Sequence, residues 1–336
     1  MSDSEVLETT NVAETLAQLD PVFSNFSLPL RGVYYPLGFA VEVSTNSAEV
    51  LVAAEESWGR FRKAFSDPPV RLDIGVIADD SKECPPAPGC RARGNLLTTI
   101  ADAKNYVVSD LNRGFAFAWL TQAAVEHRAY LRYYFLEATA LTLLDALYLT
   151  PLHAACVEIE GQGLLLCGES GAGKSSLAFA CARKGWKYLS DDSSAIVRKR
   201  KGRVVVGNPH QMRFRESAIE LFPELKEQRI TPRFTGKMAI ELATSTLPEI
   251  ATITECQVDY IVFLNRREPG PPSLRSLPEA IALQYFQQCI FLGDSEAQQA
   301  QRSSLDNLLT ASVLEMRYRD LDWAVQRLET LVQEGT

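Results

Sequence analysis

The sequence has no excess of positive charge. Its 34 lysines and arginines face 42 aspartates and glutamates, a formal net charge of −8. That argues against non-specific nucleic-acid binding as the main activity, which calls for a basic face. There is no apolar run long enough to span a bilayer. The acidic start Met1-Ser2-Asp3-Ser4-Glu5 lacks the basic segment of a signal peptide. We therefore expect a soluble, cytoplasmic protein with neither nucleic acid nor membrane as partner. Internal repeats and long low-complexity stretches are missing too. The seven cysteines (Cys84, Cys90, Cys156, Cys167, Cys181, Cys256 and Cys289) lack zinc-knuckle spacing: five residues separate Cys84 from Cys90, and no second Cys/His pair lies nearby. Most of the others sit in apolar runs, which suits buried free thiols.

What is present is concentrated in one stretch. Gly168-Glu169-Ser170-Gly171-Ala172-Gly173-Lys174-Ser175 fits G-x-x-x-x-G-K-[ST], the nucleotide phosphate loop. The apolar run 163–167 before it is long enough for a buried strand. The run 176–184 after it forms helix readily and stops at Gly185. Glycines let successive backbone N–H groups converge on one anion, and the helix N-terminus adds its partial positive charge. Gly168 to Ser176 is thus the expected nucleotide cradle. Lys174 would reach the β- and γ-phosphates of ATP, and the Ser175 hydroxyl would face Mg²⁺.

Along the chain, residues 1–27 read as a flexible arm. Residues 28–129 read as a smaller α+β or mostly-β module, with strands near 32–35, 39–44 and 70–77, a helix over 48–65, and a Pro/Gly loop over 79–95. Phe135, Ala138, Leu141, Leu144 and Leu147 recur at helical spacing, which predicts a bridging helix over 130–150 that stops before Thr150-Pro151. From 151 to 336 strand and helix signals alternate, as in an α/β P-loop kinase domain. A helix is expected over 216–225. The basic run 198–203 reads as the solvated tip of a hairpin.

A phosphate loop binds but does not react. Chemistry needs a carboxylate at the end of a neighbouring strand, and Asp191-Asp192 follow the strand after the loop's helix. One can serve the metal while the other meets the acceptor hydroxyl. His153 opens the strand before the loop strand. Its spacing alone favours a structural role.

Three runs in register, 152–157, 168–178 and 184–192, resemble the catalytic domain of the HPr kinase/phosphorylase family, and more broadly the HPr-kinase-like serine kinases. The residues 314–325 are similar to the tail of those relatives. The resemblance implies ATP-dependent transfer to a serine hydroxyl of a peptide or small protein. It also implies Asp191 as catalytic carboxylate with His153 beside it, Asp192 and Ser175 on the metal side, and a homo-oligomer as one assembly. The family's E-x-R-G-x-G motif is missing. Residues 207–216 stand in its place, so Glu216 is only a stand-in for its metal-side glutamate, and a phosphorylase activity is not implied. Arg213 and Lys237 are cationic candidates for phosphate or substrate contacts. A small-molecule kinase and a non-catalytic nucleotide sensor stay open as alternatives.

Overall fold

The computed structural model describes residues 27–232, 238–266, 270–289 and 294–335. The expected arm, apart from Ser27, and Lys237 lie outside the described residues. The strands are β1 (Leu30–Tyr34), β2 (Val41–Thr45), β3 (Val70–Ile77), β4 (Gly89–Arg93), β5 (Leu96–Ile100), β6 (Tyr106–Asp110), β7 (Phe115–Thr121), β8 (Leu149–Leu152), β9 (Ala154–Ile159), β10 (Gln162–Cys167), β11 (Lys187–Ser190), β12 (Ser194–Val197), β13 (Val204–Gly207), β14 (Gln211–Phe214), β15 (Ile230–Pro232), β16 (Met238–Ala243), β17 (Glu255–Asn265), β18 (Ser273–Ser276) and β19 (Ser312–Arg317). The longer helices are α1 (Ala48–Trp58), α2 (Ala138–Leu147), α3 (Lys174–Arg183), α4 (Glu279–Gln287), α5 (Ser295–Leu308) and α6 (Leu321–Glu334).

The first seven strands form one mixed sheet in the order β1-β2-β3-β7-β6-β5-β4. β2 and β3 are parallel, and α1 supplies the crossover that parallel neighbours need. Its buried residues Val50, Ala53, Ala54 and Trp58 fall on one helical face. The helix stops at Trp58, short of the expected 65, where Gly59 takes over as its C-cap. The bridging helix is also not a uniform α-helix. Arg128–Tyr130 runs into a π-helical stretch, Leu131–Glu137, and only then into α2. It ends at Leu147, because Leu149–Leu152 pairs with β12 as a strand. This stretch packs into the first sheet's core through Tyr130, Leu131, Phe135, Leu136, Leu143 and Leu144. Ala195, Val197 and Val206 of the second sheet join the same core.

The second sheet runs β11-β9-β10-β17-β13-β12-β8, with β19 also on β17 and β18 on β19. β17 is its spine. Its start pairs antiparallel with β13, and its remainder runs parallel to β10 on one side and β19 on the other. β14, β16 and β15 make a small third sheet beside the carboxylate turn. The helix expected over 216–225 is two short 3₁₀ turns, Glu216–Glu220 and Pro223–Glu227. Pro223 lacks an N–H and cannot continue the first into the second. The hairpin with the basic tip forms from β12 and β13. Among the described residues no helix is long and apolar enough to cross a membrane. Cys156, Cys167, Cys181 and Cys256 are buried free thiols, whereas Cys84 and Cys90 are exposed.

Candidate active site

The phosphate loop joins β10 to α3, and Lys174 is already the first helical residue. Two glycines make the turn feasible. Gly168 has φ +139° and Gly173 has φ +102°, and a Cβ on Gly173 would stand 2.7 Å from the Tyr318 hydroxyl. Glu169, Ser170 and Gly171 are exposed at the crest, while Ala172 is buried beneath it. Ser175 and Ser176 lie in the first turn of α3.

Lys174 is 5% exposed. Its ammonium donates to the Gly168 carbonyl at 2.8 Å and to His153 Nε2 at 3.0 Å, and lies 3.7 Å from Asp192 Oδ1. Because Nε2 accepts from the lysine, the imidazole proton sits on Nδ1, which faces Asp192 Oδ1 at 3.2 Å. His153 occupies the single residue between β8 and β9, where the chain passes from the β12 side of the sheet to the β10 side. That break turns its ring toward the loop. Burial lowers the Lys174 pKa, and the Asp192 charge opposes the shift.

Asp191 and Asp192 occupy the turn between β11 and β12. A staple holds that turn: Ser190 Oγ and Ser194 Oγ are 2.6 Å apart, and Ser194 donates to the Ala154 carbonyl at 3.0 Å. The two carboxylates diverge. Asp192 is half-exposed and joins His153 and Lys174. Asp191 is buried, and its Oδ2 accepts the Arg213 backbone N–H at 2.6 Å. Burial, helped by the Asp192 charge, pushes the Asp191 carboxyl up to about 6, although the Arg213 N–H and guanidinium pull the other way. The Ser175 hydroxyl donates toward the Asp191 carbonyl at 3.5 Å. A buried, weakly acidic carboxyl beside an ion-paired one is the arrangement that separates a proton acceptor from a charge-bearing partner.

Residues 147–220 match the model of the HPr Serine kinase C-terminal domain, and His153, the loop, Asp191 and Asp192 all fall inside that span. The matched segment is HPr-kinase-like. Curated relatives named HPr kinase/phosphorylase align with part of the chain: 38% identity over 60 residues in Halalkalibacterium halodurans, 37% over 62 in Lactobacillus acidophilus and 38% over 63 in Clostridium beijerinckii. Each alignment covers 18% of this chain, and the chain spans about a fifth of those relatives (19%, 19% and 21%). The solved Hpr(Ser) kinase/phosphatase from Coxiella burnetii aligns with 55% of this chain and 99% of its own, at 16% identity and a TM-score of 0.30.

Within the HPr-kinase-like segment the remaining candidates divide. The Arg213 guanidinium is not turned to the loop: it meets Glu241 Oε1 at 3.0 Å and Gln211 Oε1 at 2.9 Å, and the backbone of Arg213 is what reaches the site. Glu216 is exposed, and among the described residues no hydrogen bond or ion pair ties it to Lys174, Asp191 or Asp192. Two further residues sit on the loop without a motif to announce them. The Tyr285 hydroxyl, from α4, lies 2.7 Å from the His153 carbonyl and 2.9 Å from the Gly168 carbonyl. Arg215 Nη2 donates to Ser170 Oγ at 2.6 Å. A cavity of about 790 Å³ lies at the basic hairpin tip and α5 and holds none of these residues. One of about 240 Å³ borders Gly168, Glu169 and Tyr285.

Proposed function

We propose that the protein is an ATP-dependent kinase that phosphorylates a serine hydroxyl of a peptide or small protein. One observation carries this reading: a buried Asp191 carboxyl, fixed by the Arg213 N–H, stands beside a Lys174–His153–Asp192 chain at the phosphate loop. The names of the partly matching relatives agree with a kinase. The half-exposed His153 and Asp192 fit an acceptor that arrives from solvent rather than one enclosed in a pocket.

In this mechanism the loop N–H groups and Lys174 hold the phosphates and spread the charge that grows during transfer. Lys174 must then exchange part of its contact with Gly168 and Asp192 for phosphate oxygen. The serine Oγ forms its bond to the γ-phosphorus as the bond to the bridging oxygen breaks. The electron pair of that bond leaves with ADP, and the hydroxyl proton passes to Asp191. An Asp191 carboxyl near 6 is ionised at neutral pH, yet more basic than an ordinary aspartate. His153 keeps its Nδ1 proton on Asp192 and so orients that carboxylate.

The donor set fits Mg²⁺. Ser175 and Asp192 offer hard oxygens, and the described residues contain no cluster of three or more His, Cys, Asp or Glu able to hold a metal alone. Mg²⁺ commonly relies on one or two protein oxygens, with phosphate and water completing its shell. Bound with ATP at Ser175 and Asp192, it would supply charge neutralisation on the phosphates.

The test is transfer from γ-³²P-ATP to arrayed serine peptides. Lys174→Ala and Asp191→Asn should each cut transfer by about 100-fold or more. Full transfer by both variants would sink the assignment of roles. ATP binding without transfer by the wild type would favour a nucleotide sensor.

A further inference from the structure

We infer that Arg215 is a catalytic residue whose guanidinium grips the terminal phosphate of the bound nucleotide. This rests on the kinase reading above and adds a residue that reading does not contain.

Three observations converge on it. Arg215 follows Phe214, whose buried ring packs 5.2 Å from Phe179 on α3 and 6.2 Å from Phe222. The arginine's backbone is therefore pinned against the loop's own helix. Its Nη2 donates to the hydroxyl of Ser170, a loop residue, and this is its one hydrogen-bond partner among the described residues. A guanidinium has five N–H donors in a rigid fork made for two oxygens of an anion, and a neutral hydroxyl satisfies one of them. Four other arginines of the same half of the chain show a contrast. Arg213, Arg183, Arg203 and Arg275 each meet a carboxylate at 2.5–3.4 Å. For Arg215 no carboxylate lies within ion-pair reach among the described residues. Its charge instead falls on Lys174, whose pKa it helps burial to lower. Two cations held close at a glycine-rich loop that opens a helix form a site for a highly charged anion.

Both Arg215 and Ser170 are exposed, so the guanidinium can leave the hydroxyl without stranding a buried group. β14 and the residue just past it then have two outputs two residues apart. The Arg213 N–H sets Asp191, and the Arg215 fork meets the phosphoryl group travelling toward it. Arg215 makes no bond itself. It stabilises charge on the equatorial oxygens, as an arginine supplied in cis does in other phosphoryl transfers.

The test compares binding of Mg-ADP and Mg-AMP-PNP by calorimetry in wild type, Arg215→Ala and Arg215→Lys, with thermal melting as a check on folding. Arg215→Ala should weaken AMP-PNP about tenfold or more while ADP changes less than about threefold. Arg215→Lys should recover part of the loss, and guanidinium ion added to Arg215→Ala should raise transfer. Equal loss for both nucleotides, or no loss for either, overturns the assignment. The binding measurements need no acceptor. A wild type that binds neither nucleotide sinks the kinase reading and this proposal with it. A wild type that binds both, with an alanine variant unchanged, sinks the Arg215 role alone.

Discussion

Asp191 is the residue on which the chemistry turns. Its carboxyl is raised to about 6 from 3.8, mainly by burial. The transferring form is the carboxylate, so the rate should fall as pH drops through about 6, with an acid limb of unit slope. The Arg213 guanidinium lowers that pKa, so Arg213→Ala should move the limb to higher pH. A limb that stays put, or an Asp191→Asn enzyme that keeps the limb, would contradict the assignment. Stability has the opposite sign. The native state holds the proton that the unfolded chain has released between 3.8 and about 6. Stability from this group is therefore greatest below the unfolded value and declines as pH rises through that window. A shift of about two units corresponds to about 3 kcal/mol of cost at neutral pH. Asp191→Asn should accordingly melt higher than wild type at pH 7.5 while losing activity, the usual trade between a strained site and stability. At this scale the sequence was partly legible. Asp191, Asp192, His153 and Lys174 lie within 40 residues of one another and fall in motif register. Tyr285 is 117 residues from Gly168, and Arg215 is 45 from Ser170. Only the folded chain brings them to the loop, and neither belongs to a recognisable pattern.

At the scale of elements, the loop works because β10 delivers it and α3 receives it, with only residues 168–173 between them. Gly173 is the tightest point. An alanine there would face φ +102° and a Cβ contact of 2.7 Å with the Tyr318 hydroxyl. Strain of about 1–3 kcal/mol is expected from the backbone alone. Gly173→Ala should therefore weaken ATP binding by about tenfold or more, measured by calorimetry. Unchanged affinity would show that the loop is not shaped as described. The element boundaries that local reading missed share physical causes. The 48–65 helix ended early because Gly59 caps it. The 216–225 helix broke because Pro223 interrupts it. The long helix near 130 changes its hydrogen-bond register at Leu131–Glu137, and no residue type in that stretch announces the change to i→i+5 bonding. β14 was not visible as a strand at all. Its four residues earn their place by pairing with β16 and by the N–H that reaches Asp191.

At the scale of the molecule, the two larger sheets are joined through one core. α2 buries Leu143 and Leu144 with Ala195, Val197 and Val206 from the second sheet. Arg198 fastens this seam. Its guanidinium donates to the carbonyls of Asp145 and Ala146 at 2.7 Å each, and also to that of Leu149. These carbonyls end α2 and begin β8, and without Arg198 each loses a donor, although the Gln301 amide still reaches the Asp145 carbonyl at 3.2 Å. Arg198→Ala should lower stability by about 2–3 kcal/mol, seen as a melting temperature several degrees below wild type. An unchanged melting temperature would mean that the seam does not depend on this residue. The basic run 198–203 reads in sequence as a solvated tip, and the pattern could not show that its first member is a clamp. The joined core also places the turn at Asp191 on a rigid base, which a buried catalytic carboxylate needs. The central claim is that a serine hydroxyl, ionised by Asp191, receives the γ-phosphoryl group. Its most direct measurement is the chemical form of the label after reaction with γ-³²P-ATP. Acid hydrolysis of the labelled acceptor should release phosphoserine from the wild-type reaction and almost none from Asp191→Asn. Label in an acid-labile phosphohistidine or acyl phosphate, or equal phosphoserine from both proteins, would contradict it.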